Sequence, residues 1–288
     1  MKHGYTNILL LAINKIIHLS MYCTRKRLLT YSHNHIASNT IMIMKIIISL
    51  FITALISMPA LAANQEIQSF SKAKKLLEKQ VYNNHRTTLY CGATFDDKKK
   101  VTPPKGFTTT KYVKRSKKIE WEHVVPAENF GRTFNEWRDG NKQCISKKGK
   151  LFKGRKCAEK VSSEYRYMQA DMFNLYPAIG AVNALRSNYN FTMLPTLKSD
   201  FGSCAMKIDN RKAEPPEMAR GQIARTYLYM EGAYKRYSMS KAQRQLMTAW
   251  DKMYPVDAWE CARAKRITSL QKSQNDVVKS RCEVDGIW

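Results

Sequence analysis

The stretch EWEHVVPAENFGR, residues 120–132, sets a carboxylate directly beside a histidine, Glu122 and His123, in a lysine-rich neighbourhood. A neutral imidazole near its ordinary pKa can take a proton from water, and a carboxylate oxygen can hold a hard cation such as Mg²⁺. Together they could hydrolyse a phosphodiester. The scarcity of histidine narrows the alternatives. Beyond residue 62 the sole other histidine is His85, so a three-histidine zinc site cannot form, and the chain lacks HExxH, GxSxG and P-loop strings. His85 has no candidate partner near it and reads as a surface or packing residue.

Neighbouring residues on a regular strand point to opposite faces, so Glu122 and His123 can flank one site only where a strand ends or bends. Pro126 supplies such an ending. The run from Lys117 alternates Ile119, Trp121 and His123 with Glu120 and Glu122, which predicts a short strand leading into a loop or helix. Upstream, Phe70, Ala73, Leu76, Leu77 and Val81 recur at helical spacing within 66–82, and TTLYCGATFDDKKKV (87–101) has strand and turn chemistry. Residues 139–160 are polar and lysine-rich and read as a long loop. A helix is predicted from near Pro177. Arg186, in VNALRSNYN, falls further along it, where it could reach a phosphate, orient a ligand or pair internally with Glu120 or Asp171. The segments 221–237, 240–254 and 257–267 also carry apolar residues at helical spacing. One α+β domain, mixed and predominantly helical in its second half, is the simplest organisation.

Residues 44–62, MKIIISLFITALISMPALA, have the lysine, apolar run and small-x-small end of a secretory signal, with cleavage expected after Ala62. Residues 1–43 carry no acidic residue and read as a spurious or unstructured extension, leaving 63–288 as the working protein. Six of the 49 Lys and Arg residues, and none of the 23 Asp and Glu residues, precede Ala63, so the remainder has a net charge of +20. That balance favours a polyanionic partner, nucleic acid or an anionic surface. Six cysteines remain after Cys23 is set aside, an even set suited to three disulfides in an oxidising compartment. Of the possible pairs only Cys144 with Cys157 is locally attractive, closing a basic loop worth roughly 3 kcal/mol in the chain-entropy account.

The strings EWEHVVPAENFGR, GRKCAEK, YRYMQADMFNLYPAIGAVNALRSNYNF and LYCGATF together resemble the bacterial endonuclease I family, from about Ala73 to Cys261. The resemblance implies an exported, non-specific nuclease, periplasmic or secreted, with a ββα-metal (His-Me finger) core. It makes His123 the general base, and Glu122 and Asn174 the ligands of one Mg²⁺ ion, with Mn²⁺ as a substitute. It also implies an arginine near the scissile phosphate, a role for which Arg132, Arg138 and Lys142 compete. The implied substrates are DNA and RNA, gripped through the phosphate backbone and left with 5′-phosphate ends. No membrane partner is expected once the signal is removed, and a monomer is the default. The rival reading is a catalytically idle exported nucleic-acid-binding protein.

Overall fold

A computed structural model describes residues 63–288. The extension and signal expected in 1–62 lie outside the described residues. The opening helix forms as α1 (Phe70–Leu76), capped by Ser69 Oγ accepting from Lys72 N, and continues as a π-helical turn, Leu77–Val81. Ala73, Leu77 and Val81 lie on its buried face, as the spacing predicts. Strands β1 (Thr94–Phe95) and β2 (Val101–Thr102) then pair antiparallel. Asp96 Oδ1 closes the turn between them by accepting from Lys98 N and Lys100 N.

The catalytic candidates sit on β3 (Ile119–His123). After it come α2 (Ala127–Gly131), α3 (Asn135–Arg138), α4 (Arg155–Val161) and α5 (Ser163–Gln169), then a 3₁₀ turn, Met172–Asn174. The expected loop over 139–160 is therefore shorter: α4 begins inside it, because Cys157 and Ala158 find a buried face. Its pinning is as anticipated, with Cys144 bonded to Cys157.

Strand β4 (Leu175–Ile179) pairs antiparallel with β3 in the register Ile119 to Ile179 and His123 to Leu175. This corrects the helix expected from Pro177. Pro177 lies mid-strand opposite Trp121, and its carbonyl accepts from Leu89 N at 2.9 Å. LYPAI is buried at every position, a continuous apolar run whose periodicity cannot separate strand from buried helix. The helix begins after it, as α6 (Gly180–Arg186). Gly180 allows the close approach: a Cβ there would stand 2.5 Å from Arg115 O and 2.9 Å from Glu120 Oε1.

A small sheet of β5 (Asn190–Phe191), β6 (Lys207–Asp209) and β7 (Lys212–Glu214) precedes four longer helices, α7 (Arg220–Ala233), α8 (Lys241–Met253), α9 (Ala258–Gln271) and α10 (Asp276–Val284). The predominantly helical second half matches the spacing. From α9 the buried Arg263 donates to Tyr82 Oη, Tyr176 Oη and the Met172 and Leu175 carbonyls, tying the helical half to the start of β4. His85 stacks on Trp259 at 3.9 Å, a packing histidine. The two other disulfides join Cys91 to Cys204 and Cys261 to Cys282. None of the described helices is long and apolar enough to cross a membrane.

Candidate active site

Glu122 and His123 are the last two residues of β3; their side chains diverge by strand alternation, so a site that uses both must straddle this strand end. The chain leaves the ladder just after them. Val124 N still donates to Asn174 O, and Val125 N then donates to Asn174 Oδ1 at 2.7 Å while Asn174 Nδ2 donates to Val125 O at 3.0 Å. The Asn174 amide thus mimics one more ladder position and holds the bend before Pro126.

His123 is buried, with Nε2 2.8 Å from the Gln169 carbonyl oxygen. A carbonyl accepts, so Nε2 carries the proton and the neutral ring presents its lone pair at Nδ1. Phe70 lies 4.9 Å from the ring, centroid to centroid. Burial, reinforced by the charge of Arg155, pushes the imidazole pKa down to about 3. The histidine is therefore neutral at pH 7.

This depression makes stability depend on pH. Below about pH 6.5 the unfolded chain binds a proton that folded His123 refuses, so the contribution present above that pH is lost as pH falls towards 3. By pH 5 the loss should reach about 2 kcal/mol. Urea unfolding of His123→Asn at pH 7 and pH 5 should accordingly show a smaller drop than the unsubstituted chain, and an equal drop would remove His123 as its cause.

Glu122 is also buried, where an exposed glutamate is the usual companion of a packed histidine. Its Oε1 accepts from Tyr90 Oη at 2.8 Å and from Arg186 Nη1 at 2.7 Å. Oε2 has no hydrogen-bond partner among the described residues. Burial raises the carboxyl pKa, and Arg186 and Tyr90 oppose that rise by stabilising the charged form. Arg186 donates further to the carbonyls of His123 and Val124, at 2.9 and 2.7 Å, so one guanidinium fixes three consecutive residues.

The expectation that Arg186 contacts nucleic acid is corrected by its burial: it is 0% exposed and faces Phe191. Its internal ion pair is with Glu122, not Glu120 or Asp171. Asp171 instead accepts from Tyr229, Tyr234 and Gln271 and anchors the turn before Asn174. The other basic candidates are exposed and separate from this cluster. Arg132 pairs with Glu128, Arg138 donates to Arg132 O and Asn135, and Lys142 projects from the disulfide-pinned loop.

Among the three principal candidates, Glu122 and His123 are each held at one polar atom and open at the other. Asn174 is committed at both and fully buried. Asn183 meets the first pattern. On α6, one turn before Arg186, it donates through Nδ2 to Glu120 Oε2 at 2.8 Å, and its Oδ1 has no partner among the described residues. Glu120 is held from its other side by Arg115. Strand and helix thus run in step, Glu120 against Asn183 and Glu122 against Arg186.

The chain matches the Endonuclease I family over residues 66–282. It belongs to that family. An extracellular deoxyribonuclease of Aeromonas hydrophila is 40% identical over 244 residues, covering 82% of this chain and 98% of the relative. A periplasmic deoxyribonuclease of the same organism is 39% identical over 244 residues, covering 82% and 95%. Endonuclease-1 of Buchnera aphidicola subsp. Acyrthosiphon pisum is 37% identical over 222 residues, covering 75% and 82%. Besides Asn183, sequence reasoning missed Tyr90 and Gln169, the residues that hold Glu122 and His123. Each acts across a gap of 32 or 46 residues on Glu122 or His123, and no local pattern marks such a contact.

Proposed function

We propose that the protein is an exported endonuclease that hydrolyses phosphodiester bonds of DNA, and of RNA, with His123 as general base, acting as a monomer after removal of residues 1–62. The observation that carries this reading is the tautomer of His123, whose bond to Gln169 O occupies Nε2 and leaves Nδ1 as the basic atom of the ring. Endonuclease I membership and the deoxyribonuclease names of the relatives support it, and the six paired cysteines suit the periplasm or the exterior.

His123 Nδ1 takes the proton from an attacking water, and the Gln169 carbonyl stabilises the imidazolium that results. A phosphate beside the ring raises its pKa towards the working range, since negative charge favours the protonated form. For the cation we assign Glu122 Oε2 and Asn183 Oδ1, each on a side chain already oriented through its other polar atom, with Asn174 as the backbone clamp. Among the described residues no three of His, Cys, Asp and Glu gather into a cage, so this oxygen pair suits an ion that keeps most of its waters. Bound there, Mg²⁺ or Mn²⁺ would supply positive charge to the phosphate and the leaving 3′ oxygen, with 5′-phosphate products.

Conversion of supercoiled plasmid with and without Mg²⁺ tests the reading directly. Cleavage only with metal supports it, and a plasmid that is bound but never cut leaves the idle binding protein. The two asparagines separate by different measurements. Asn183→Ala should keep its thermal midpoint while losing roughly a hundredfold or more in Mg²⁺-dependent cleavage. Asn174→Ala should unfold about 2 kcal/mol more easily, because two buried backbone groups lose their partners. The opposite pattern would return the ligand role to Asn174.

A further inference from the structure

The far end of the β3–β4 ribbon carries a concentration of charge that the active site does not use. Lys98, Lys100, Lys114, Lys117 and Lys118 are all exposed, and none forms an ion pair with a described residue. Their basic neighbours are already neutralised: Lys99 by Glu78, Arg115 by Glu120 and Lys111, at 3.9 Å, by Asp200. Chain geometry gathers the free lysines. Lys100 and Lys118 face each other in an antiparallel bridge, secured by Ile119 N donating to Lys99 O at 3.0 Å.

Residues opposed in this way carry their side chains on one face, about 5 Å apart at Cβ, and like charges so placed cost stability. A surface merely kept soluble would have no use for that repulsion. An opposing polyanion turns it into attraction.

Beside the lysines, Tyr112 is 50% exposed and held at φ 54°, a region that non-glycine residues rarely adopt, with the Arg115 guanidinium 5.5 Å from its ring. An exposed ring rimmed by lysines is the combination that binds nucleic acid through phosphates and base faces. By strand alternation Lys118 shares a ribbon face with Glu120 and Glu122. Five residues of extended chain, about 17 Å, separate it from His123. The same length is about five base steps of duplex.

Resting on the nuclease reading above, we propose that these five lysines, with Tyr112 at their edge, form a second nucleic-acid contact surface that grips the phosphate backbone about five nucleotides from the scissile bond. The surface acts on affinity for long substrates, not on the chemical step.

The test is the charge-reversed full chain K114E/K117E/K118E, assayed with Mg²⁺ on a 30-base-pair duplex and on a fluorogenic tetranucleotide too short to span both surfaces. At low salt kcat/KM on the duplex should fall at least tenfold through KM, while the tetranucleotide is cut within twofold of the unsubstituted rate. Duplex binding in EDTA, where cleavage is not required, should show a salt slope shallower by about 2 to 3, the number of phosphate contacts removed. Equal loss on both substrates, or unchanged duplex binding, would overturn the proposal. Lost binding to phosphatidylglycerol vesicles with duplex binding intact would instead assign the surface to membranes.

Failure of the nuclease reading would look different: the unsubstituted chain would cut neither substrate, yet the duplex-binding comparison would still report on the lysines. The single variant K118E guards against misfolding. It replaces the Lys100–Lys118 repulsion by an attraction, so its thermal midpoint should rise while its duplex affinity falls two- to fivefold. A lower midpoint would remove the premise that the lysine pair is held at a cost.

Discussion

Alanine at position 123 should lower plasmid cleavage by roughly 10²- to 10⁴-fold, the range a general base contributes, with DNA affinity in EDTA unchanged. One hydrogen bond sets this role: Gln169 O accepts from the protonated Nε2 and leaves Nδ1 as the only basic atom the ring can offer. His123→Asn should fail as completely, since an amide nitrogen is not basic. Added imidazole should restore part of the alanine variant's rate by occupying the vacated space, and this rescue should follow the concentration of neutral imidazole. Alanine-variant activity within tenfold of the original would remove the general-base assignment. A chain that binds DNA equally well in all three forms and cuts in none would support the idle binding protein.

The second large effect is expected at Arg186. Its charge lies wholly inside, paired with Glu122 and bonded to the carbonyls of His123 and Val124. Arg186→Met would leave a buried carboxylate whose remaining described partner is Tyr90, and breaking such a pair from one side costs about 3–5 kcal/mol. Urea unfolding at pH 7 measures it. The loss should shrink as pH falls, because burial already raises the Glu122 pKa and protonation removes the unpaired charge. Glu122→Gln combined with Arg186→Met should therefore recover much of the stability lost by Arg186→Met alone, while cleavage stays low. A double variant no more stable than Arg186→Met would show that the arginine acts through the backbone carbonyls instead.

Much of the local order around the site was legible in the sequence. The alternation of Ile119, Trp121 and His123 against Glu120 and Glu122 marks β3, Pro126 marks its end, and the 13-residue separation of Cys144 and Cys157 marks the one local disulfide. Helices α7, α8 and α9 follow from apolar spacing. Pro177 misled because a buried strand and the first turn of a helix both accept a proline and apolar neighbours. Only pairing with Trp121 decides between them.

What the sequence by itself determined is the chemical inventory: two histidines beyond residue 62, one beside a carboxylate, six cysteines, a strongly cationic chain and the strings of the Endonuclease I family. These are properties of composition and short spacing, which survive without knowledge of distant contacts. The tertiary structure decided how each group is held. It committed the Asn174 amide to Val125, left the Asn183 oxygen open, enclosed Arg186 against Glu122 and set Lys100 against Lys118. Each of those outcomes depends on which hydrogen-bonding partner arrives from many residues away. Burial makes every such partner count, since an enclosed polar atom left unpaired is costly and the fold selects the arrangement in which the fewest remain so.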